Sequence, residues 1–210
     1  MSENARKIAQ YLLQIKAVEL SPSKPFTWAS GIKSPIYCDN RKILSYPQIR
    51  NYVVECFSQL IEKEYPSADG IAGVATAGIA HAALAAWRLN QPMIYVRSKP
   101  KGHGLQNQIE GVYQPGQIMV VVEDLISTGK STLKTVEILR NAGVEVAGAV
   151  AIFSYGFDKA AKAFEAADCP FQTLSFYDVL VEEAEKHGYI NKSDLITLME
   201  WRKDPDNWKK

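Results

Sequence analysis

The chain has 210 residues, enough for one domain with a full hydrophobic core and a small appendage, and 47% apolar with 22% charged residues is an ordinary globular composition. A net charge of +1, from 24 basic and 23 acidic residues, argues against a general polyanion binder, though not against one local cationic loop. Cys38, Cys56 and Cys169 are odd in number and widely spaced, which reads as free thiols in a reducing, cytoplasmic compartment and not as a disulfide frame.

Taken in order, the first twenty residues lack a signal-peptide apolar core. Residues 4–15 predict a helix whose apolar stripe of Ala9, Leu12 and Leu13 continues to Val18 at its exit. Pro22, Pro25, Gly31 and Pro35 exclude regular helix over 20–35, and short strands are expected at 26–29 and 36–38, as a hairpin apart from the main sheet. Residues 46–64 predict a helix with Pro47 in its first turn and Ile49, Val53, Cys56, Phe57 and Leu60 at helical spacing. A strand–helix alternation follows. Strand 70–75, helix 78–89 and strand 92–96 come first; then a polar, glycine-bearing segment, 97–117, reads as a loop with at most weak edge structure. Strand 118–122, helix 128–141, strand 144–153, helix 159–167, strand 171–175 and helices 176–187 and 193–201 complete it. Residues 70–89 are apolar, but Gly70, Gly73, Gly78, Thr76, His81 and Arg88 make them a buried strand and helix, not a membrane span. His81, on an Ala-rich face, reads as a packed or hydrogen-bonded structural histidine.

This pattern predicts an α/β domain with a mainly parallel central sheet flanked by helices. Residues 1–45 would form an N-terminal helix and a small hood, and residues 46–210 the core with its C-terminal helices.

The richest chemistry follows strand 118–122. Glu123 and Asp124 stand directly after five apolar residues, and Leu125, Ile126, Ser127, Thr128, Gly129, Lys130 and Ser131 lead into a helix. Gly129-Lys130-Ser131 copies the end of a nucleotide P-loop, but the opening glycine of that motif is replaced by Asp124, which would repel a triphosphate. A monophosphate cradle fits better: backbone N–H groups over 125–129, hydroxyls of Thr128, Ser131 and Thr132, and the positive helix end. The acids, just upstream, suit vicinal sugar hydroxyls. The bland alternative is that they cap a helix or form surface ion pairs. Ala75-Thr76-Ala77-Gly78 lies at a second strand–helix junction and would let a diphosphate approach the backbone, or be merely a tight turn. Arg97, Lys99, Lys101 and His103 crowd one short segment. They would neutralise a departing diphosphate, or simply be a solvated basic loop.

VVVEDLISTGKS at 120–131 closely resembles the phosphoribosyl-diphosphate motif of the type I phosphoribosyltransferases. GVATAGIAHA at 73–82, YVRSKPKGHG at 95–104 and PFTWASGIKSPIYCDNR at 25–41 extend the resemblance, over nearly the whole chain, to the bacterial orotate phosphoribosyltransferases of that family. The resemblance implies the type I fold. It implies transfer of the phosphoribosyl group from 5-phospho-α-D-ribose 1-diphosphate to orotate, giving orotidine 5′-phosphate and diphosphate with Mg²⁺ in de novo UMP synthesis. Glu123 and Asp124 match the acids that hold the ribose hydroxyls, and Leu125 to Ser131 match the 5-phosphate site. Ala75, Thr76 and Ala77 match a diphosphate loop of unusual peptide geometry. Arg97, Lys101 and His103, with Asp124, match the catalytic groups, and Lys99 joins the diphosphate contacts. Orotate contacts are implied for Ser30, Gly31, Lys33, Ile36, Tyr37, Ser127 and Tyr155. The Mg²⁺ would be held mainly by substrate and water, with no direct protein ligand. The partners implied are a second copy of the chain, with residues 97–110 reaching the neighbouring site, and small-molecule substrates, with no nucleic acid and no membrane.

The chain departs from the family pattern at four places. Ala29 stands where many members have lysine. Ser98 replaces a basic residue, Phe153-Ser154-Tyr155 replaces an Asp-Arg pair, and Lys130 replaces a small residue. A transferase for a purine or another pyrimidine base, and a non-catalytic nucleotide- or RNA-binding regulator of the same fold, are the competing readings.

Overall fold

The computed structural model describes residues 2–28, 31, 33–99 and 108–208. They divide into two compact units, residues 1–49 with 175–210, and residues 50–174.

The first unit begins with α1 (Glu3–Gln14). The Ser2 side chain caps it by accepting the Ala5 N–H at 3.2 Å, and Ala5, Ile8, Ala9, Leu12 and Leu13 form its buried stripe. Lys16 then turns the chain out of the helix at a φ of 53°. Val18, expected at the exit of the helix stripe, opens a strand, β1 (Val18–Leu20). The short strands after it are β2 (Phe26–Thr27), β3 (Lys33–Ser34) and β4 (Ile36–Cys38). They do not make the single hairpin expected. β2 pairs with β3, with Phe26 opposite Ser34, while β4 pairs with β1, with Leu20 opposite Ile36. Pro35 separates the two ribbons: it has no N–H to give either ladder, and its carbonyl accepts from the Ser21 N–H at 2.7 Å.

The second unit carries most of α2 (Pro47–Glu64), followed by β5 (Gly70–Val74), α3 (Ala77–Leu89), β6 (Met93–Val96), β7 (Ile109–Glu110), β8 (Ile118–Ile126), α4 (Lys130–Asn141), β9 (Glu145–Ser154) and α5 (Asp158–Ala166). With β10 (Phe171–Phe176) the strands form one sheet in the order β10-β9-β8-β5-β6-β7. β5 runs parallel to β6 and β8, and β8 parallel to β9. The short β7, the weak edge structure expected, is antiparallel to its neighbour β6. The β5–α3–β6 and β8–α4–β9 crossovers step away from each other, so the order of the sheet reverses between β5 and β8. Right-handed crossovers then place α3 and α4 on opposite faces. Val121 and Val74 pack with Val136 and Leu139 of α4 on one face. On the other, Gly73 lets Ala82 of α3 approach so closely that an added Cβ would lie 3.0 Å from the alanine methyl.

Two boundaries differ from expectation in a way that matters. β8 runs to Ile126, not 122, because β9 pairs with it to the end, with Leu125 opposite Phe153 and Ile126 opposite Ser154. The helix after it starts at Lys130, not 128, because Gly129 has a left-handed φ of 79°.

The last two helices, α6 (Tyr177–Lys186) and α7 (Lys192–Lys203), belong to the first unit. The fully buried Glu183 of α6 ties α6 to α1. It accepts from Arg6 Nη1 at 2.7 Å and Gln10 Nε2 at 2.8 Å, and His187 Nε2 lies 3.2 Å away. Burial works against its charge, but the bonds from Gln10 and Arg6 outweigh it and hold the carboxyl below its usual value. Glu183→Gln, which keeps the shape and removes the charge, is expected to lower stability by about 1–3 kcal/mol in urea unfolding, with the m-value unchanged.

His81 of α3 is 0% exposed, and among the described residues neither ring nitrogen has a hydrogen-bond partner. It is packed, not bonded. Burial lowers its pKa from 6.5 to about 4. Between those values the unfolded chain binds the proton that the folded chain refuses. Stability is therefore complete above pH 6.5 and falls as the pH drops towards 4, by about 3 kcal/mol in all. Unfolding of wild type and His81→Leu across pH 4–7 should show this slope in the difference between the two proteins.

Candidate active site

In an open α/β sheet the ligand crevice lies beyond the carboxyl ends of the strands where their order reverses. Here that point is the ends of β5 and β8, held in parallel register with Gly73 opposite Val122. Each strand leads into a helix whose first N–H groups receive no side-chain cap: Thr76 precedes α3 and Gly129 precedes α4, and neither supplies one. Two uncapped helix starts at one sheet edge favour anions.

Glu123, the last residue of the buried run Met119–Glu123 in β8, is 5% exposed. Its Oε1 accepts from the Asp124 N–H and its Oε2 from the Ser131 hydroxyl, each at 3.0 Å. Burial raises its pKa first, and the neighbouring Asp124 charge and a carboxyl–carboxyl hydrogen bond with Asp124 raise it further, well above the usual carboxylate range. Asp124 is half-buried, so it is the carboxylate of the pair with surface to offer.

Gly78, in the first turn of α3, makes this junction possible. A Cβ there would fall 2.6 Å from the Val122 carbonyl oxygen and 3.3 Å from Glu123 Oε1. Ala75, Thr76 and Ala77 precede it, with the Ala75 N–H bonded to the Val96 carbonyl at 3.0 Å; the Ala75–Thr76 peptide is cis, at the place where unusual geometry was expected. On the other side, Leu125 and Ile126 lie within the strand, and Ile126 is buried, its carbonyl accepting from the Tyr155 N–H. Ser127 and Thr128 are half-buried in the turn, Lys130 and Ser131 are exposed, and a Cβ on Gly129 would lie 2.7 Å from the Phe164 ring. The Thr132 hydroxyl is fully buried in the first turn of α4, with no hydrogen-bond partner among the described residues.

Among the cations, Arg97 and Lys99 are described, whereas Lys101 and His103 lie outside the described residues. Arg97 is half-buried and its guanidinium is 3.5 Å from the Glu110 carboxylate; Lys99 is exposed. Lys134 of α4 donates to the Ser98 carbonyl at 3.2 Å.

The residues expected to meet the base are split between the units. In the first, Ser30 lies outside the described residues. Gly31 is exposed with a φ of 85°, Lys33 donates to the Thr27 hydroxyl at 2.8 Å, Ile36 is fully buried, and Tyr37 is partly exposed with its ring 5.7 Å from that of Phe26. In the second, Tyr155 is 2% exposed, edge-on to Phe153 at 5.7 Å and stacked on Phe157 at 5.4 Å. Ile36 and Tyr155 thus present almost no surface of their own. The second unit brings together the acid pair, the 125–131 turn and the 75–77 turn.

Sequence reasoning passed over two residues of this region. Gly78 read only as room for a ligand, whereas it makes room for β8. Glu110 sat inside a segment read as loop, and only the β7 pairing reveals it beside Arg97. Among the described residues no group of three or more His, Cys, Asp or Glu stands ready to hold a metal ion, and no described helix is long and apolar enough to cross a membrane.

The family model for the phosphoribosyl transferase domain matches residues 40–183. The orotate phosphoribosyltransferase of Bacillus subtilis is 56% identical over 200 residues, 95% of this chain and 93% of that protein. That of Bacteroides thetaiotaomicron is 53% identical over 208 residues, covering 99% and 98%. Among solved structures, orotate phosphoribosyltransferase from Aeropyrum pernix superposes with a TM-score of 0.76 at 29% identity, over 88% of this chain and 99% of that one. The UMP synthase of Leishmania donovani gives 0.80 at 29% identity, over 94% of this chain but only 42% of that one, so this chain spans less than half of that protein. With a fold, a strand-end acid pair and relatives that agree over nearly its full length, the chain belongs to the orotate phosphoribosyltransferases of the type I phosphoribosyltransferase family.

Proposed function

We propose that this chain transfers the phosphoribosyl group of 5-phospho-α-D-ribose 1-diphosphate to orotate, giving orotidine 5′-phosphate and diphosphate as a step of UMP synthesis. One observation carries the phosphoribosyl half: a buried and a half-buried carboxylate side by side near the end of β8, followed after Leu125–Gly129 by an uncapped helix start. Acids for sugar hydroxyls next to N–H groups for a phosphate suit a phosphorylated ribose. The orotate half rests on relatives of that name at more than 50% identity.

In this reading Asp124 accepts from the ribose hydroxyls, and Glu123, fixed by Asp124 N–H and Ser131, sets its position. Leu125 to Ser131 hold the 5-phosphate, chiefly by backbone N–H groups and the hydroxyls of Ser127, Thr128 and Ser131. Ala75, Thr76, Ala77 and Lys99 meet the diphosphate. Arg97, Lys101 and His103 stabilise it as it leaves, so positioning and electrostatics carry the reaction without a protein nucleophile. Ser30, Gly31, Lys33, Ile36, Tyr37, Ser127 and Tyr155 are assigned to orotate on the family resemblance.

Mg²⁺ favours hard oxygen donors and keeps much of its water. Substrate oxygens and water would supply its shell, with no direct protein ligand, and its charge would ease departure of the diphosphate. The working unit in this reading is a homodimer with residues 97–110 reaching the neighbouring site, in a reducing, cytoplasmic setting that keeps Cys38, Cys56 and Cys169 as free thiols.

Purified protein mixed with orotate, phosphoribosyl diphosphate and Mg²⁺ should consume orotate, followed by its absorbance. Consumption of adenine, hypoxanthine or uracil in its place would overturn the base assignment while keeping the transfer chemistry. Asp124→Asn should lower kcat/KM by about 10- to 100-fold, or roughly 1–3 kcal/mol, through lost ribose bonds; an unchanged value would remove this carboxylate from the ribose.

A further inference from the structure

The pairing of β6 with β7 sets Tyr95 opposite Glu110 and Val96 opposite Ile109. One step further, Arg97 faces Gln108, and two bonds join them: the Arg97 N–H donates to the Gln108 carbonyl at 2.8 Å, and Gln108 Nε2 donates to the Arg97 carbonyl at 2.9 Å. Val96 and Ile109 are buried in the core. Strand alternation therefore turns Arg97, Gln108 and Glu110 to the opposite face, where all three are half-buried. On that face Arg97 and Glu110 are diagonal neighbours, and Arg97 Nη1 lies 3.5 Å from Glu110 Oε1.

We propose that Glu110 is a positioning residue for Arg97, holding the guanidinium ready for the diphosphate end of the substrate. The inference rests on the reading of Arg97 as a group that meets that diphosphate. A long arginine side chain has many rotamers, and each must be given up before its planar fork can meet a phosphate. Here the backbone of Arg97 is clamped on both sides by Gln108, and the far end of its side chain is tethered at one nitrogen. The ordering is thus complete before substrate arrives, which is how a positioned group speeds a reaction without touching the reacting atoms. The Arg97–Glu110 contact is long and uses one guanidinium nitrogen. It orients the fork while leaving its other N–H groups to face a second anion, whereas a short bidentate pair would occupy it. An ordinary surface ion pair between strands would add a little stability and nothing to turnover.

The test compares wild type, Glu110→Ala, Glu110→Gln, Arg97→Ala and the Arg97→Ala/Glu110→Ala double variant, with whichever base the wild-type protein consumes. Failure of the orotate assignment therefore leaves this question open to measurement. Glu110→Ala should lower kcat by about tenfold with KM for phosphoribosyl diphosphate changed less than about threefold, because the loss falls on the departing group. Glu110→Gln keeps an acceptor and should recover to within about threefold of wild type. The double variant should be no slower than Arg97→Ala alone, since Glu110 acts only through Arg97. The idea is overturned by wild-type kinetics in Glu110→Ala, by faster turnover, by losses that multiply in the double variant, or by full activity of Arg97→Ala. If Glu110→Ala does not fold, Glu110→Gln decides: activity within threefold at an unchanged Tm supports the role, and a loss as deep as that of Arg97→Ala refutes it.

Discussion

A carboxylate buried at the end of a central strand is the constraint on which the rest of the site depends. Taking Glu123 out of water is expensive unless its oxygens are satisfied, and here they are met by the Asp124 N–H and the Ser131 hydroxyl. The second bond links the strand to the first turn of α4, so the geometry of the helix start is set by the acid. The other oxygen, Oε1, also limits what packs beside it. α3 reaches the strand end only because Gly78 has no side chain, and α4 turns back only because Gly129 takes a left-handed conformation against Phe164. One buried acid and two glycines thus bring two uncapped helix starts to one edge.

Much of this was legible in the sequence. β5 and β8 are buried on both faces, so they read as unbroken apolar runs, and the alternation that follows residue 70 gave the parallel sheet. The acid pair stood out because ionised residues rarely follow a continuous run of five apolar ones. What escaped the sequence depended on pairing partners far along the chain. The extension of β8 to Ile126 is decided by β9, not by propensity. The two N-terminal ribbons were mispaired because strands of two or three residues carry almost no pattern, and their partners are chosen by Lys16 and Pro35. Glu110 was invisible for the same reason: β7 has two residues and exists only through β6. The base-binding assignments came from resemblance and not from pattern, since no periodicity marks a residue such as Tyr37 as a ligand contact.

The extension of β8 also explains why Gly129-Lys130-Ser131 is not the end of a nucleotide loop. A loop that cradles a phosphate chain must leave its strand early, so that many consecutive N–H groups point inward. Here the strand continues through the acids to Ile126, and only residues 127–129 separate it from α4. A turn that short can surround one phosphate, with α4 behind it. Lys130, which would follow the phosphates in a triphosphate loop, is exposed on the helix surface. The position where such a loop would begin holds Asp124, on a strand whose ladder fixes the direction of its side chain. A second phosphate placed there would face a carboxylate, whereas a pentose hydroxyl placed there would find an acceptor. In the proposed reading the three-residue turn suits a single phosphate, and Asp124 on the strand before it suits the sugar attached to that phosphate.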